Sequence, residues 1–459
     1  MDALSLLCGD AQTFVDKVWA SHVHVHHARS EDTAGTTAGS ADGAQQHTDL
    51  AGLLRLDDVD RLLTNSGLRT PALRLAQDGS VIPSSQYTRT ATLAGVAMPG
   101  LVDARKVLDL FDGGATVVLQ GMHRYWPPLT DLVRDLELAL GHPCQANAYL
   151  TPPGSRGFAL HSDSHDVFVF QTHGTKQWEV HDGSGVREVL MEPGTSMYLP
   201  TGTPHAAHTQ ETASLHVTVG VNQVTWREVV NRTVQAVLDR SDLDTPLPAG
   251  YPDQLDAFAD ELATMLRRVG DEIHAADART AATTEVERFL TNRATLVRGG
   301  LRDRLAVRDL HDRTVLRRRP QSPYVLVADD DRIRVLLGDR ELRVPARLQE
   351  PLEHIRSHSE LRPADLAPWL DASSRAVLVR RLVVEGLLEV VEWANRSVAR
   401  PTASRSPSRL PGPRRRCGRS CCWSSPGPGE STRCATDACR STWPPSSIGA
   451  APDSGSGHC

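Results

Sequence analysis

The 459-residue sequence predicts a mainly β core, a sandwich or barrel, followed by an α-helical module and a C-terminal winged-helix domain. Three observations carry this. From "CQANAYLTPP" to "LHVTVGVNQVTW" the chain shows many short strands punctuated by Gly and Pro, with little helical spacing. After Trp226 the character switches to helical periodicity in "REVVNRTVQAVLDRS", "YPDQLDAFADELATMLRRVG" and "TEVERFLTNRATLVRGG". Finally, "SPYVLVADDDRIRVLLGDRELRVPA" returns to hairpins. The stretch after it reads as helix, helix, helix, strand, with Gly386 at the turn into the last strand.

The earlier elements follow the same logic. "DAQTFVDKVWASHVHVHHA" reads as a short helix and then an extended stretch. "LAGLLRLDDVDRLLTNSG" has helical spacing and a stop at Asn-Ser-Gly. "TPALRLAQDGSVIPSSQYT" alternates about Asp-Gly, a hairpin signal. "DARKVLDLFDGGATVVLQGMHRYWPPLTDLVRDLELALGHP" is a helix, a Gly-Gly turn, a buried strand and a second helix opening near Pro127. The expected division is an N-terminal region at 1–94 with a mobile loop at 30–47, the β core at 95–225, the helical module at 226–310, the winged helix at 320–395, and a disordered basic Cys-, Ser- and Pro-rich tail at 400–459.

Composition narrows the function classes. Hydrophobic residues make up 40% of the chain and charged residues 23%, ordinary values for a chain with a buried core. No run approaches the ~18 apolar residues of a membrane-spanning helix, and the N-terminus lacks the basic region and the small-residue cleavage site of a secretory signal. A cytoplasmic location without membrane contact is the expectation. From Pro401 onward eight arginines face three acidic residues, so the tail carries +5 of a net −6 and the rest of the chain −11. An acidic body argues against specific nucleic-acid binding. Only Cys8 and Cys144 precede the tail, which excludes a disulfide framework there. The six tail cysteines include no CxxC pair, so disorder is preferred to a zinc module, and the abrupt compositional change also fits a slipped reading frame.

The chemistry concentrates in "ALHSDSHDVFVFQTHGTKQW", Ala159 to Trp178. On a strand, residues two apart share a face, so His161 and Asp163 are expected to project together. "MYLPTGTPHAAHT" supplies a third donor, His205, after a Pro/Gly turn. Two histidines and a carboxylate on one side of a metal leave coordination positions open, the pattern of non-haem Fe(II) oxygenases, in which a co-substrate and oxygen must both bind. If that co-substrate is 2-oxoglutarate, its distal carboxylate needs a buried cation, and Lys176 follows on the next strand. Spacing alone leaves alternatives. HxD is a weak signal in a chain with 19 histidines, and His165, His173, His181, His208 and His216 compete. A strand lysine is most often solvated. A zinc hydrolase would show HExxH, which is absent, and a zinc isomerase of the cupin type more often shows HxH with a Glu.

Over about Leu110 to Trp226, "LFDGGATVVLQGMHRYWPPLTDLVRDLELALGHPCQANAYLTPPGSRGFALHSDSHDVFVFQTHGTKQWEVHD", "MYLPTGTPHAAHT" and "SLHVTVGVNQVTW" resemble the JmjC-type cupin oxygenases of the ribosomal oxygenase group. That group also carries helical and winged-helix modules in this order. The resemblance implies a double-stranded β-helix, or jelly roll, with Fe(II) on His161, Asp163 and His205, 2-oxoglutarate on Lys176, and O2 as second co-substrate. It further implies that Thr218, in "HVT", supports the same carboxylate and that Asn147 and Tyr149 line the pocket. His216 matches a family histidine and is expected beside the ligands rather than among them. The implied reaction is hydroxylation of a peptidyl side chain, with His or Arg of a ribosomal protein as candidates, by a homodimer formed through the helical module. Two departures bear on the substrate: Ser162 stands where many relatives have an aromatic residue, and the segment between Trp178 and Leu190 is shorter.

Other readings stay in view. The hydroxylated substrate could instead be a natural-product peptide or small molecule, or the chain could be a non-catalytic scaffold. His22, His24 and His26 are expected on one strand face, where adventitious metal binding outweighs a dedicated site. The winged helix lacks a basic surface, which favours a structural or substrate-guiding role over DNA binding. Arg414 to Arg416 form too short a run for specificity.

Overall fold

The computed structural model describes residues 2–27, 49–65, 67–155, 159–209, 211–293 and 296–391. The expected loop at 30–47 and the tail at 400–459, with its cysteines and Arg414 to Arg416, lie outside the described residues.

Helices α1 (Ala3–Cys8) and α2 (Ala11–Lys17) lead into strand β1 (His24–His27). Helix α3 (Leu56–Asn65), the hairpin β2 (Leu73–Gln77) and β3 (Ser80–Val81), and a second hairpin β4 (Thr88–Leu93) and β5 (Val96–Val102) follow. Then come α4 (Ala104–Asp112), β6 (Thr116–Leu119) and α5 (Pro127–Leu140). The strands of the core are β7 (Cys144–Thr151), β8 (Asp166–His173), β9 (Lys176–Asp182), β10 (Gly185–Met191), β11 (Thr195–Leu199), β12 (His205–Thr209) and β13 (Ser214–Val221).

These strands form two antiparallel sheets. One has eight strands in the order β1-β11-β8-β13-β7-β6-β2-β3, the other three in the order β10-β9-β12. From β8 onward the chain crosses repeatedly between the two, β8, β11 and β13 in the large sheet and β9, β10 and β12 in the small one, which is the path of a jelly roll. Side-chain alternation sorts the two faces of each strand. Phe168 and Phe170 of β8 and Leu215, Val217 and Val219 of β13 pack outward against a core completed by α1, α2 and α5. Val167, Val169, Met197 and Leu199 point inward and meet Trp178, Val180, Val189 and Met191 of the small sheet. β8 is therefore buried on both faces, which explains its continuous apolar run. Burying each such side chain stabilises the fold by about 1.5–3 kcal/mol.

Helix α5 begins as its sequence dictates, with Pro127 in the first turn, and ends at Gly141 in the left-handed conformation, φ 74°. Its Leu129, Leu132, Val133 and Leu136 cover the outer face of the large sheet. Gly174, at the β8–β9 turn, has φ +62°, and an added Cβ would lie 1.9 Å from the Ala213 carbonyl oxygen, so only glycine fits there. The two free thiols among the described residues, Cys8 and Cys144, are both buried.

The 1–94 stretch does not stand apart from the core. β1 pairs with β11 (His24 opposite Tyr198), and β2 pairs with β6, so both extend the large sheet. His22 precedes β1, and the expected three-histidine face is not assembled. His24 Nε2 hydrogen-bonds the Cys8 carbonyl at 3.0 Å, while His22 Nδ1 faces the Ser21 hydroxyl at 2.8 Å.

After the barrel come α6 (Trp226–Leu238), opened by a Thr225/Glu228 capping box, α7 (Leu255–His274) and α8 (Ala278–Thr291). The C-terminal part comprises α9 (Gly300–Ala306), β14 (Leu316–Arg318), the meander β15 (Val325–Asp329), β16 (Arg332–Leu337) and β17 (Arg340–Pro345), then α10 (Gln349–Ser357), β18 (Glu360–Leu361), α11 (Ala372–Val384) and β19 (Leu388–Val390). β14 lies between β18 and β19 in a small sheet. Where the sequence suggests a middle helix, the chain makes a 3-10 turn, Pro363–Leu366, because the Pro-initiated segment is too short for further α-turns before Asp371 caps α11. Among the described residues no helix is long and apolar enough to cross a membrane.

Candidate metal centre

His161, Asp163 and His205 converge at one end of the barrel. One donor atom from each lies within 4.8 Å of the others, and among the described residues no other group of three or more His, Cys, Asp or Glu side chains does so. His205 Nε2 is 3.7 Å from Asp163 Oδ2, and the two imidazole centroids are 4.4 Å apart.

The expected placement of His161 and Asp163 on a strand needs correction. Both lie in the connection between β7 and β8; His161 makes an isolated bridge with His205, and the strand begins only at Asp166. The polar run "HSDSH" offers no apolar face to bury, so the ladder starts where the apolar alternation starts. The segment is nonetheless extended and pinned. His205 N donates to His161 O at 2.7 Å, and His161 N donates to His205 O at 3.1 Å.

Backbone carbonyls orient both rings. His161 Nδ1 lies 2.9 Å from Ala159 O, and His205 Nδ1 lies 2.9 Å from Thr203 O. A carbonyl only accepts, so each Nδ1 carries the proton and each Nε2 lone pair is left for a metal. Burial, together with the neighbouring His161, lowers the pKa of His205 against the opposing pull of Thr203 O and Asp163, which favours the neutral, ligating form. His205 is buried, Asp163 half-buried and His161 exposed, so the cluster opens to solvent on the His161 side, beside the exposed Ser162.

Deeper in the barrel stands Lys176. It shares the inward face of β9 with Trp178 and Val180 and is only 3% exposed. Its ammonium donates to Thr151 Oγ1 at 3.4 Å, and Thr116 Oγ1 donates to the same oxygen at 3.2 Å. Lys176 forms no ion pair with a carboxylate of the described residues, and burial pushes its pKa down to about 8. Around it, the buried Trp178 Nε1 and His216 Nδ1 also lack partners among the described residues. Burial and then the nearby lysine hold His216 neutral, its pKa well below the ordinary value. A buried cation ringed by unanswered polar atoms is a receptor for an anion.

The remaining sequence-predicted residues line the same wall. On adjacent strands His216 sits opposite Tyr149 and Thr218 opposite Asn147, all on the inward face. Tyr149 stacks flat on His216, centroids 5.0 Å apart, and its phenol hydrogen-bonds Thr218 and Arg74; burial raises its pKa. Asn147 Oδ1 accepts from Gly121 N at 3.0 Å, so the amide also holds the turn ahead of α5. Sequence reading missed Thr151 as the partner of Lys176, Thr116 as the hydroxyl that donates to Thr151, and Trp178 as the ring between His205 (5.8 Å) and His216 (5.6 Å). Thr151 and Trp178 carried a signal, since each lies two residues from a named position on the same strand face, Tyr149 and Lys176.

Comparison with known proteins agrees with this region of the chain. The family model described as the JmjC domain matches residues 129–187 and 181–229. A bifunctional lysine-specific demethylase and histidyl-hydroxylase NO66 of Branchiostoma floridae is 36% identical over 143 residues, 30% of this chain and 23% of that protein. Ribosomal oxygenase 2 of Bos taurus is 30% identical over 177 residues, 34% of this chain and 38% of the relative. The chain thus spans well under half the length of these relatives. The solved structure of YcfD, a ribosomal oxygenase from Escherichia coli in complex with cobalt and 2-oxoglutarate, aligns over 84% of this chain and 99% of that one, with 17% identity and a TM-score of 0.47.

Proposed function

Starting from the JmjC domain that this chain carries, we propose that the protein is an Fe(II)- and 2-oxoglutarate-dependent oxygenase that hydroxylates a peptidyl side chain of a ribosomal protein. The observation that carries this is the pairing of two sites in one barrel: three metal-type donors within 4.8 Å at the mouth, and an unpaired buried lysine further in. The donor set fits Fe(II), with two neutral imidazoles and one carboxylate. The names of the relatives support the substrate class.

His161 Nε2, His205 Nε2 and the Asp163 carboxylate would hold the metal. With 2-oxoglutarate and O2 bound, this centre supplies hydroxylation of a C–H bond, with 2-oxoglutarate converted to succinate and CO2. Lys176 pairs with the distal carboxylate of the co-substrate, Thr151 steadies the ammonium, and Thr218, Trp178 and His216 complete the polar wall. The inward Val167, Val169, Met197 and Leu199 keep water from the chamber. The exposed side at His161 and Ser162 admits a peptide, whose side chain reaches the metal past the Tyr149 wall.

The test is an anaerobic titration of the Fe(II)-loaded protein with 2-oxoglutarate, followed by oxygen and a basic ribosomal-protein peptide containing His and Arg. A visible metal-to-ligand charge-transfer band, then one succinate per oxygen atom gained by the peptide, is expected. A folded, metal-loaded protein without the band would leave a non-catalytic scaffold as the better account.

We also propose a homodimer through α6–α8. Neither α7 nor α8 has a buried residue, and the large apolar side chains of Trp226 (85% exposed), Leu255, Leu262 and Leu266 are left to solvent in the single chain. Sedimentation of the full chain at dimer mass is expected, with Leu262→Glu/Leu266→Glu shifting it to one chain; a wild type that sediments as a monomer would overturn this. The segment after β14 is best read as a winged helix that guides protein rather than nucleic acid. In support, Arg334, Arg340 and Arg375 are each engaged by carboxylates rather than free for phosphates.

A further inference from the structure

We propose that Asp166 is the positioning residue of the metal centre, its buried carboxylate clamping the 200–204 turn and, through it, both ligand-bearing segments. This rests on the metal reading above and names what holds the three donors in place.

Asp166 opens β8 and is fully buried, at 0% exposure. A carboxylate in that position is costly unless its lone pairs are all answered. Four donors answer them, none cationic. Thr201 N and Thr201 Oγ1 each reach Oδ1 at 2.7 Å. Gln223 Nε2 reaches Oδ2 at 2.7 Å, and the Tyr198 hydroxyl donates to the same oxygen. Tyr198 in turn accepts from Ala20 N at 2.9 Å. One carboxylate thus gathers β11, the turn after it, the segment after β13 and the N-terminal region.

The turn it grips leads directly to the ligands. Next to Thr201, Gly202 N donates to Asp163 O at 2.9 Å. Thr203 O accepts from the ring of His205 at 2.9 Å. His205 is bonded through its backbone to His161. Each of the three donors is therefore one or two hydrogen bonds from the turn that Asp166 fixes at Thr201. Asp166 also lies only three residues after Asp163, so it anchors that segment from its other end. Groups that orient metal ligands without touching the metal typically change metal affinity about 10- to 100-fold when altered.

The experiment uses Co(II) as probe on the full chain, reading affinity and the visible d–d bands, with circular dichroism and thermal melting on every variant. Asp166→Asn, which keeps size but loses the charge answering Thr201, is expected to fold, to bind Co(II) about 10- to 100-fold more weakly and to show shifted d–d bands. Thr201→Val, which removes only the hydroxyl contact, is expected to change both in the same direction by less. A folded Asp166→Asn with wild-type affinity and spectrum overturns the clamp. If Asp166→Asn fails to fold, Thr201→Val decides, and wild-type Co(II) binding there overturns it equally. A wild type that takes up no Co(II), or takes it up unaffected by His205→Ala, overturns the metal reading and the clamp together, which separates that failure from failure of the clamp alone.

Discussion

Asp163→Ala is expected to abolish hydroxylation, by at least about 100-fold since a ligand matters more than the groups that orient it, and to erase the charge-transfer band. Stability should change by less than about 0.5 kcal/mol, because the side chain is one-third exposed and its near neighbour is the His205 ring rather than the core. The variant leaves two imidazoles without the carboxylate that balances a divalent ion. The check is the anaerobic titration run beside a thermal melt. A variant that keeps the band would place the third ligand elsewhere, and one that loses its fold would make Asp163 a structural residue.

Lys176→Met should weaken 2-oxoglutarate binding by about 2–4 kcal/mol, roughly 30- to 1,000-fold, as expected when a buried charge loses its partner. The same change should make the ligand-free protein more stable. Folding lowers the lysine pKa from 10.5 to about 8, so the folded state disfavours the charged form. Below pH 8 the full penalty applies, about 3 kcal/mol. Between pH 8 and 10.5 the unfolded chain holds this proton and the folded chain loses it, so the contribution of Lys176 to stability rises with pH across that window. Co-substrate affinity runs the other way, falling about tenfold per pH unit above 8 as the ammonium is lost. His216, held neutral by burial, adds no charge change in that window. Lys176→Met should lack both contributions, each read as the difference from wild type at the same pH. Equal co-substrate affinity in variant and wild type would remove Lys176 from the binding site.

The local parts of this architecture were legible in the sequence. Pro127 and Gly141 bound α5, Asp78-Gly79 turns the β2–β3 hairpin, and the Thr225/Glu228 box opens α6, each through chemistry within a few residues. The triad residues were also legible, though for a partly mistaken reason. His161 and Asp163 were read as sharing a strand face, whereas they share an extended loop pinned to His205. What stayed hidden is non-local. Nothing within the sequence of β1 announces a partner some 170 residues away in β11. The Asp166 carboxylate takes its donors from residues 198, 201 and 223, which only the folded register brings together. Thr151 became visible as a partner of Lys176 only once β7 and β9 faced each other across the barrel.

The two buried thiols bear on durability. Desolvation pushes the Cys8 thiol up to about 12, and desolvation with the nearby Glu137 pushes Cys144 higher still. Oxidants attack the thiolate, and they attack where they can reach it. A protein proposed to activate oxygen in its own interior thus keeps both cysteines of the described residues protonated and covered. Among the described residues, stray peroxide from a turnover without substrate finds no ready thiolate to convert to sulfenic acid. Cys8 and Cys144 should therefore remain reduced after prolonged aeration, which thiol alkylation with peptide mapping checks.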